Sequence, residues 1–194
     1  MRLPATEHTS RPWRIHEITQ DFDLEDVWAL PTPGGPDDFL RLVEIAAQFD
    51  PGRGSSRLSR ALFAIREKVG GVLGWDDPEK GAGGAAPTLR DRLPADLADA
   101  ACGPDFDATP FTSLYLLSDE FAAEVANATV HGVLHFGWVP DDGGGYRGQM
   151  AILVKRNGLL GTLYMAAIRP FRHTVVYPSL LRDIGRRWRL RPVA

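Results

Sequence analysis

Two long runs of alternating residues on either side of a glycine-rich turn constrain this chain most. Residues 129–139 and residues 146–155 place apolar side chains at every second position, and residues 141–145 (Asp-Asp-Gly-Gly-Gly) join the two runs. A period of two residues is the signature of a β-strand. A short turn rich in Gly and Asp between two strands is typical of an antiparallel hairpin. The sequence therefore predicts an antiparallel sheet that contains this hairpin.

Helical spacing predicts two helices near the start of the chain. A short apolar run, residues 27–30, ends at a turn rich in Pro and Gly and predicts the first strand. Apolar residues then recur at helical spacing over residues 39–49 and again over residues 58–72. The two helices are therefore inserted directly after the first strand.

Three shorter segments have local patterns of their own. Residues 111–117 predict a strand, and residues 13–19 predict another from a less regular alternation. After Ser118, which is a candidate helix cap, the spacing of Phe121, Ala122 and Val125 predicts a short helix.

Residues 159–188 combine helical spacing with two prolines. They predict one long C-terminal helix, which Pro170 and Pro178 kink or divide. The resulting order is a strand, two helices, several antiparallel strands and a final long helix. That is the order of an α+β helix-grip fold, in which a curved antiparallel sheet wraps around the kinked C-terminal helix.

Composition bounds the class of protein. The chain has 194 residues, of which 44% are hydrophobic, with a net charge of −3 and a single cysteine, Cys102. These values exclude a disordered chain and a disulfide-bonded scaffold, and the length predicts one domain. We place that domain at residues 13–190, after a polar lead-in of residues 1–12, with a flexible Gly/Ala/Pro-rich loop at residues 77–88.

We expect a cytoplasmic protein without a membrane span. Its apolar runs are shorter than the roughly 20 residues that a span needs, and its charged, polar start differs from a secretory leader. Residues 147–194 carry ten basic residues and one acidic residue. Half of these basic residues lie at the end of the predicted C-terminal helix, where cations complement the helix dipole. We therefore do not expect nucleic-acid binding.

Several motifs resemble those of an uncharacterised bacterial family, domain of unknown function 2867. They are Trp13-Arg14-Ile15-His16, Asp26-Val27-Trp28-Ala29-Leu30-Pro31, Thr129-Val130-His131-Gly132-Val133-Leu134-His135, and Gly158-Leu159-Leu160-Gly161 with Pro170-Phe171-Arg172-His173. The family is similar to the START-like, birch-allergen-like (SRPBCC) helix-grip superfamily. The resemblance implies a hydrophobic cavity between sheet and helix, and it assigns no catalytic residues.

We expect the protein to bind a hydrophobic or amphipathic, lipid-like small molecule in that cavity. Eight side chains are candidates for its lining, with simple core packing as the alternative for each: Trp28, Tyr115, Phe136, Trp138, Tyr146, Met150, Tyr164 and Met165. We expect no cofactor, because the glycine cluster at residues 81–84 does not follow a strand and no phosphate-binding Gly-Lys-Ser/Thr motif occurs.

An enzyme of the cyclase, dehydratase or hydrolase type in the same cavity is an alternative function. Such an enzyme needs a titratable group inside the cavity, for which Tyr164 and His173 are the candidates. Arg172 and His173 lie between Pro170 and Pro178. A polar side chain at such a kink can anchor a carboxylate or a carbonyl, or it can cap the carbonyl groups that Pro178 leaves free.

His131 and His135 share one face of the strand predicted at residues 129–139. At strand rise they lie about 13 Å apart, too far to bind one zinc ion, whose ligands lie at about 2 Å. A helix here would instead bring them together as a metal-binding pair. Because the apolar residues occupy the other face, we place both histidines and Arg147 on an exposed face of the sheet. An interaction module that forms a homodimer through this face is a further alternative function.

Overall fold

The strands in the described part of the chain form one antiparallel sheet. A computed structural model describes residues 1–50, 88–106, 108–127 and 130–190. Its strands are β1 (Arg2–Leu3), β2 (Asp23–Ala29), β3 (Thr112–Leu116), β4 (Glu120–Ala126), β5 (Val130–Pro140) and β6 (Tyr146–Arg156). They lie side by side in the order β1-β2-β6-β5-β4-β3. Strands β5 and β6 pair along their whole length, which confirms the predicted hairpin.

Short helices precede and interrupt the sheet, and a long helical segment ends the described chain. They are α1 (Thr6–Thr9), α2 (Ile15–Ile18), α3 (Phe39–Ala47), a 3-10 turn (Leu89–Arg92), α4 (Ala95–Ala98), α5 (Gly158–Phe171), a π-helical turn (Arg172–Val176) and α6 (Tyr177–Arg189). The architecture is α+β, with a six-stranded antiparallel sheet and a C-terminal helix, and it is compatible with a helix-grip fold.

The first predicted helix is confirmed as α3. Its apolar stripe, which includes Phe39, Leu42 and Val43, is buried in the core. The second predicted helix, residues 58–72, lies outside the described residues. So does the predicted flexible loop except for its last residue, Thr88.

The predicted C-terminal helix is confirmed, and its prolines have a specific effect. The helical segment continues from Gly158 to Arg189, but Arg172–Val176 form a π-helical turn between Pro170 and Pro178. A proline has no N–H group to donate to the carbonyl four residues earlier. A widened turn at such a break is a common feature of functional sites in helices.

Two local predictions are wrong. Phe121, Ala122 and Val125 belong to strand β4 instead of a short helix. Most of β4 is buried, so the polar and apolar alternation that marks a half-exposed strand is missing. Residues 13–19 contain the helical turn α2 in place of the predicted strand.

Both faces of the sheet are covered. We call the inner face the one that carries Trp28, Phe136 and Met150, and it packs against α3 and α6. The outer face carries Val27 and Val133, and it packs against residues of α2, the 3-10 turn and α4. This burial of both faces explains why strands near the middle of the sheet are apolar on each side.

The prediction of an exposed sheet face is therefore wrong. His131 and His135 lie on the outer face, where they are 4% and 0% exposed. Arg147 on the same face contacts Asp141. The alternation of the strand predicts polar residues in solvent, whereas the structure buries the two histidines beside carboxylates. The hypothesis of a homodimer requires this face to be exposed, and the two histidines are buried instead.

The first twelve residues, expected to form a polar lead-in, contribute to the packed structure. Strand β1 pairs with β2, with Arg2 opposite Trp28 and Leu3 opposite Val27. His8 in α1 is buried. In the described part of the chain, no helix combines the length and apolarity needed to cross a membrane.

Candidate functional site

A β-bulge on strand β2 turns two acidic side chains toward the C-terminal helix. Leu24 lies opposite Leu153 of β6 and Asp26 lies opposite Ile152, so Glu25 is an extra residue in β2. Leu24 packs on the outer face, whereas Asp26 contacts the C-terminal helix on the inner side. In a regular strand, residues two apart share one face. The bulge is therefore what directs Asp26 to the inner face, and bulges of this kind often lie next to functional sites.

Consecutive side chains of the π-helical turn contact consecutive residues of this bulge. Arg172 Nη2 donates a hydrogen bond to Glu25 Oε2 at 3.2 Å. The Nε2 atom of His173 lies 3.2 Å from Asp26 Oδ1. Just after the turn, the Tyr177 hydroxyl donates to Asp26 Oδ2 at 3.1 Å. Two backbone irregularities, far apart in sequence, thus bring their polar side chains together at one place, which we call the bulge site.

Trp28 forms the apolar wall of the bulge site. It lies on the same face as Asp26, and its ring centroid is 5.1 Å from that of Tyr177 and 6.2 Å from that of His173. Burial raises the pKa of Tyr177 above its ordinary value, and the Asp26 carboxylate raises it further. Tyr177 consequently stays protonated as a hydrogen-bond donor to Asp26.

The acidic groups of the bulge site are compensated by cations. Asp26, whose side chain is 1% exposed, has Arg2 Nη2 at 3.3 Å from Oδ1. Arg156 contacts Glu25 and also Asp23, the latter at 2.9 Å. Three arginines, Arg2, Arg156 and Arg172, therefore face the three acids of β2, and the formal charges of these six side chains cancel.

Three buried polar atoms at the bulge site have no hydrogen-bond partner in the described chain. They are the acceptor Asp26 Oδ1, whose two cationic neighbours lack hydrogen-bond geometry, and the donors Trp28 Nε1 and Arg172 Nε. Buried polar groups are nearly always hydrogen-bonded, and exceptions often mark a functional site or a bound molecule. The bulge site thus has donor and acceptor capacity that the described residues do not use.

Most of the predicted lining residues come together on the inner face. Trp28, Phe136, Trp138, Tyr146 and Met150 belong to one apolar cluster. Met165 of α5 lies in a smaller neighbouring cluster with Val130 and Val154.

The placement differs for the two remaining tyrosines among the predicted lining residues. The prediction is wrong for Tyr115, which lies on the outer face, and its hydroxyl donates to Glu120 there. The side chain of Tyr164 lies outside the described part of the chain. Of the two predicted catalytic candidates, only His173 is therefore placed at the bulge site.

A second polar cluster lies buried under the outer face. Its core is a chain of three imidazoles, which we call the histidine chain (His16, His8 and His135). His16 Nε2 lies 3.2 Å from His8 Nδ1, and His8 Nε2 lies 3.2 Å from His135 Nδ1. His135 Nε2 then lies 3.1 Å from Glu120 Oε1. The chain links the N-terminal helices α1 and α2 to the middle of the sheet.

Glu120 anchors the histidine chain. Its carboxylate also accepts hydrogen bonds from the Tyr115 hydroxyl at 2.7 Å and from the backbone N–H groups of Arg14 and Ile15 at 2.8 Å each. Burial alone would raise the pKa of Glu120, but His135 and these other donors hold it below its ordinary value. Glu120 is therefore a carboxylate that fixes the start of α2 against strand β4.

When the three histidines of the chain are neutral, the Glu120 carboxylate determines which ring nitrogen of each one carries the proton. A carboxylate only accepts, so His135 donates from Nε2, which leaves its Nδ1 to accept from His8. His8 in turn accepts from His16 at Nδ1. Burial, and then the neighbouring His135 and His16, lower the pKa of His8 to about 3. His8 is therefore neutral near pH 7.

His131, four residues before His135 on β5, also has a carboxylate partner. Its Nε2 lies 2.6 Å from Glu124 Oε2, and Glu124 also accepts from the Leu89 N–H and the Thr88 hydroxyl. The two histidines thus have different carboxylates as partners. In the described ranges, no three His, Cys, Asp or Glu side chains are placed to hold one metal ion.

One signal in the sequence could have found these pairs. Glu120 and Glu124 are four residues apart, as are His131 and His135 on the next segment. In two neighbouring antiparallel strands, equal spacing lets each acid meet one histidine. The match escapes sequence reasoning because the spacing after Ser118 predicts a helix there.

Fold and bulge site together define a class of protein: an α+β chain whose six-stranded sheet carries a polar cluster beneath a C-terminal helix. The model of one family, described as protein of unknown function (DUF2867), matches residues 18–179. The chain belongs to this family, which confirms the family predicted from the sequence motifs. Searches of the curated proteins and of the solved structures found no match.

Proposed function

We propose that this protein binds an amphipathic small molecule between the inner face of the sheet and the C-terminal helix. The polar end of the ligand lies at the bulge site, and its apolar part lies along the inner face. The observation that carries the proposal is the meeting of a β-bulge with a π-helical turn, around three buried polar atoms that have no partner among the described residues. Two such irregularities cost stability, and a binding role accounts for both.

The surroundings of the bulge site suit a ligand with an apolar part. Trp28 is its wall, and Ile152, Met165 and Ile168 form the apolar neighbourhood toward α5. Burial of apolar surface contributes about 25 cal/mol per Å². A few polar groups then set the orientation of the ligand, as is usual in small-molecule sites.

We also propose that the fold is a START-like helix-grip fold. The order of elements and the antiparallel sheet beneath a long C-terminal helix support this assignment. In such a fold the space between sheet and helix is the usual ligand cavity. The bulge site lies on that side of the sheet.

Native mass spectrometry of the freshly purified chain tests the binding proposal. We expect a stoichiometric additional mass that denaturing extraction releases as an amphipathic molecule. The chain is then titrated with N-phenyl-1-naphthylamine, a neutral dye that fluoresces in apolar sites. We expect saturable fluorescence, and amide NMR shifts concentrated at residues 25–28 and 172–177. A bare protein mass together with no saturable dye binding would contradict the proposal.

An acid–base enzyme at the same site is a second candidate function. It is favoured by one contact, His173 Nε2 at 3.2 Å from the buried Asp26 carboxylate. A carboxylate in this position orients an imidazole and leaves its other nitrogen to accept a proton. We expect deuterium from D₂O to enter the extracted ligand with the native chain but not with His173→Gln. Equal exchange by both proteins would remove the enzyme hypothesis.

A further inference from the structure

We propose that the polar end of the ligand is a carboxylate, and that Arg172 is its main partner, with Trp28 as an additional donor. This inference rests on the proposed function, because it names the chemical class of the ligand that the bulge site binds. It adds a specific head group and a specific residue to that proposal.

Arg172 has hydrogen-bond donors that are not used in the described chain. Donors in such a buried position are usually hydrogen-bonded. Its guanidinium has five N–H groups, and its one described side-chain hydrogen bond runs from Nη2 to Glu25. The Nε atom is buried and has no hydrogen-bond partner among the described residues, and the side chain as a whole is 12% exposed. Arginine binds carboxylates through two neighbouring N–H groups in a planar fork. Glu25 uses one donor of that fork, and the adjacent Nε–H remains for a ligand.

A second donor beside Arg172, the indole N–H of Trp28, also favours a ligand that accepts hydrogen bonds. The indole Nε1–H of Trp28 is buried and has no hydrogen-bond partner in the part of the chain that the structure describes. The Trp28 ring lies against His173. An indole N–H only donates. Two donors without partners, on two elements that meet at one site, therefore favour a ligand that supplies several acceptor lone pairs, as a carboxylate does.

The charges of the bulge site are compatible with one additional anion. Glu25 already has Arg156 and Arg172 as partners, and Asp26 has Arg2, His173 and the Tyr177 hydroxyl. The acids of β2 are thus held by their own cations and donors. A ligand carboxylate at Arg172 therefore meets acids that arginines already compensate. Asp26 Oδ1 has two basic neighbours, Arg2 and His173, which a cationic head group would have to displace.

Calorimetric titration with octanoate and 1-octanol tests the inference. The two ligands have the same tail and differ in the head group. The full chain is first passed over a hydrophobic resin to remove any bound molecule. We expect octanoate to bind about tenfold more tightly than 1-octanol, the ratio that one charge-assisted hydrogen bond supplies.

Variants of two arginines locate the head group. Arg172→Gln should lower octanoate affinity about tenfold and leave 1-octanol affinity unchanged. Arg172→Lys keeps the charge but loses the planar fork, so it should retain part of the preference for octanoate. Arg169→Gln is the matched control, because Arg169 is exposed in the same helical segment, and it should change neither affinity. Thermal unfolding of each variant shows whether it is folded.

The outcomes separate this inference from the proposed function. Equal affinities of the native chain for octanoate and 1-octanol would overturn the carboxylate head group and leave amphipathic binding in place. No binding of either ligand would overturn both. An equal loss of both ligands in a folded Arg172→Gln chain would assign Arg172 to the shape of the site instead of the head group. The native comparison decides the class of ligand even where a variant fails to fold.

Discussion

Glu120 shows how much one buried carboxylate can organise at the residue scale. It accepts from a backbone turn, a tyrosine and a histidine, and so joins α2, β3 and β5. Such a group is costly to remove, because its buried donors are left without an acceptor.

We expect Glu120→Gln to destabilise the protein by about 3 kcal/mol. The glutamine amide keeps the size of the side chain but has one acceptor oxygen and adds two donors to a site that is full of donors. The measurement is urea unfolding at pH 7. Asp119→Asn is the control, because Asp119 is the exposed neighbour of Glu120, and it should leave the midpoint unchanged. A midpoint for Glu120→Gln equal to that of the control would show that the cluster contributes little.

The histidine chain gives stability a definite dependence on pH. The pKa of His8 is about 3 in the folded protein, against 6.5 for an ordinary histidine. The pKa of His16 is lowered as well. The unfolded chain therefore binds more protons below pH 6.5, and stability falls as pH falls from there toward 3. Each pKa unit corresponds to about 1.4 kcal/mol.

We expect the free energy of unfolding to decrease steadily between pH 6.5 and pH 4.5, before most carboxylates titrate. His8→Gln should flatten this decrease, because glutamine has no proton to gain. Urea unfolding at half-unit steps of pH measures both chains. A native protein as stable at pH 5 as at pH 7.5 would contradict the burial of neutral His8.

At the scale of elements, the approach of the N-terminal segment to β5 depends on a missing side chain. A Cβ atom on Gly137 would lie 2.5 Å from Trp13 Cζ2 and 2.7 Å from Trp13 Cη2. Trp13 is itself buried, so its ring has little room to move. Gly137 therefore allows the residues before α2 to lie flat on the strand.

We expect Gly137→Ala to destabilise the protein by about 2 kcal/mol, the usual size of an overpacking effect. Gly143→Ala in the exposed hairpin turn is the control, since a Cβ there comes no closer than 3.8 Å to Asp141. Thermal unfolding compares the two variants, and tryptophan fluorescence follows the displacement of Trp13. If both variants unfold at the same temperature, Trp13 is not held against β5.

Elements with a strong period were predictable from the sequence, and those defined by long-range contacts were not. The hairpin β5–β6, helix α3 and the C-terminal helix follow from their own spacing. Strand β4 does not, because its burial on both faces removes the alternation. The bulge at Glu25 and the π-helical turn at Arg172–Val176 arise from packing between distant segments. The flanking prolines single out His173 as a candidate site residue, but its partner Asp26 is found only in the fold.

The N-terminal segment links the two faces at the scale of the whole molecule. On the outer face, the histidine chain runs from His16 through His8 to His135 of the sheet. At the edge of the sheet, β1 pairs with β2, and Arg2 contacts Asp26 of the bulge site on the inner side. The segment from β1 to α2 therefore supports both the buried histidines and the acid that faces the C-terminal helix.

Deletion of residues 2–12 should therefore cost more than the removal of any single interaction in this segment. It removes the β1 pairing, the Arg2 partner of Asp26 and the burial of His8 together, and it also removes the Glu7 carbonyl that accepts from Gln149 Nε2. We expect the free energy of unfolding in urea to fall by about 3 kcal/mol more than in His8→Gln alone. The Arg2 contact with Asp26 on the inner side and the His8 contact with His135 on the outer side share no partner, so these two effects should add. An unchanged unfolding midpoint after the deletion would contradict this expectation. It would support the prediction from composition that these residues are a polar lead-in outside the domain.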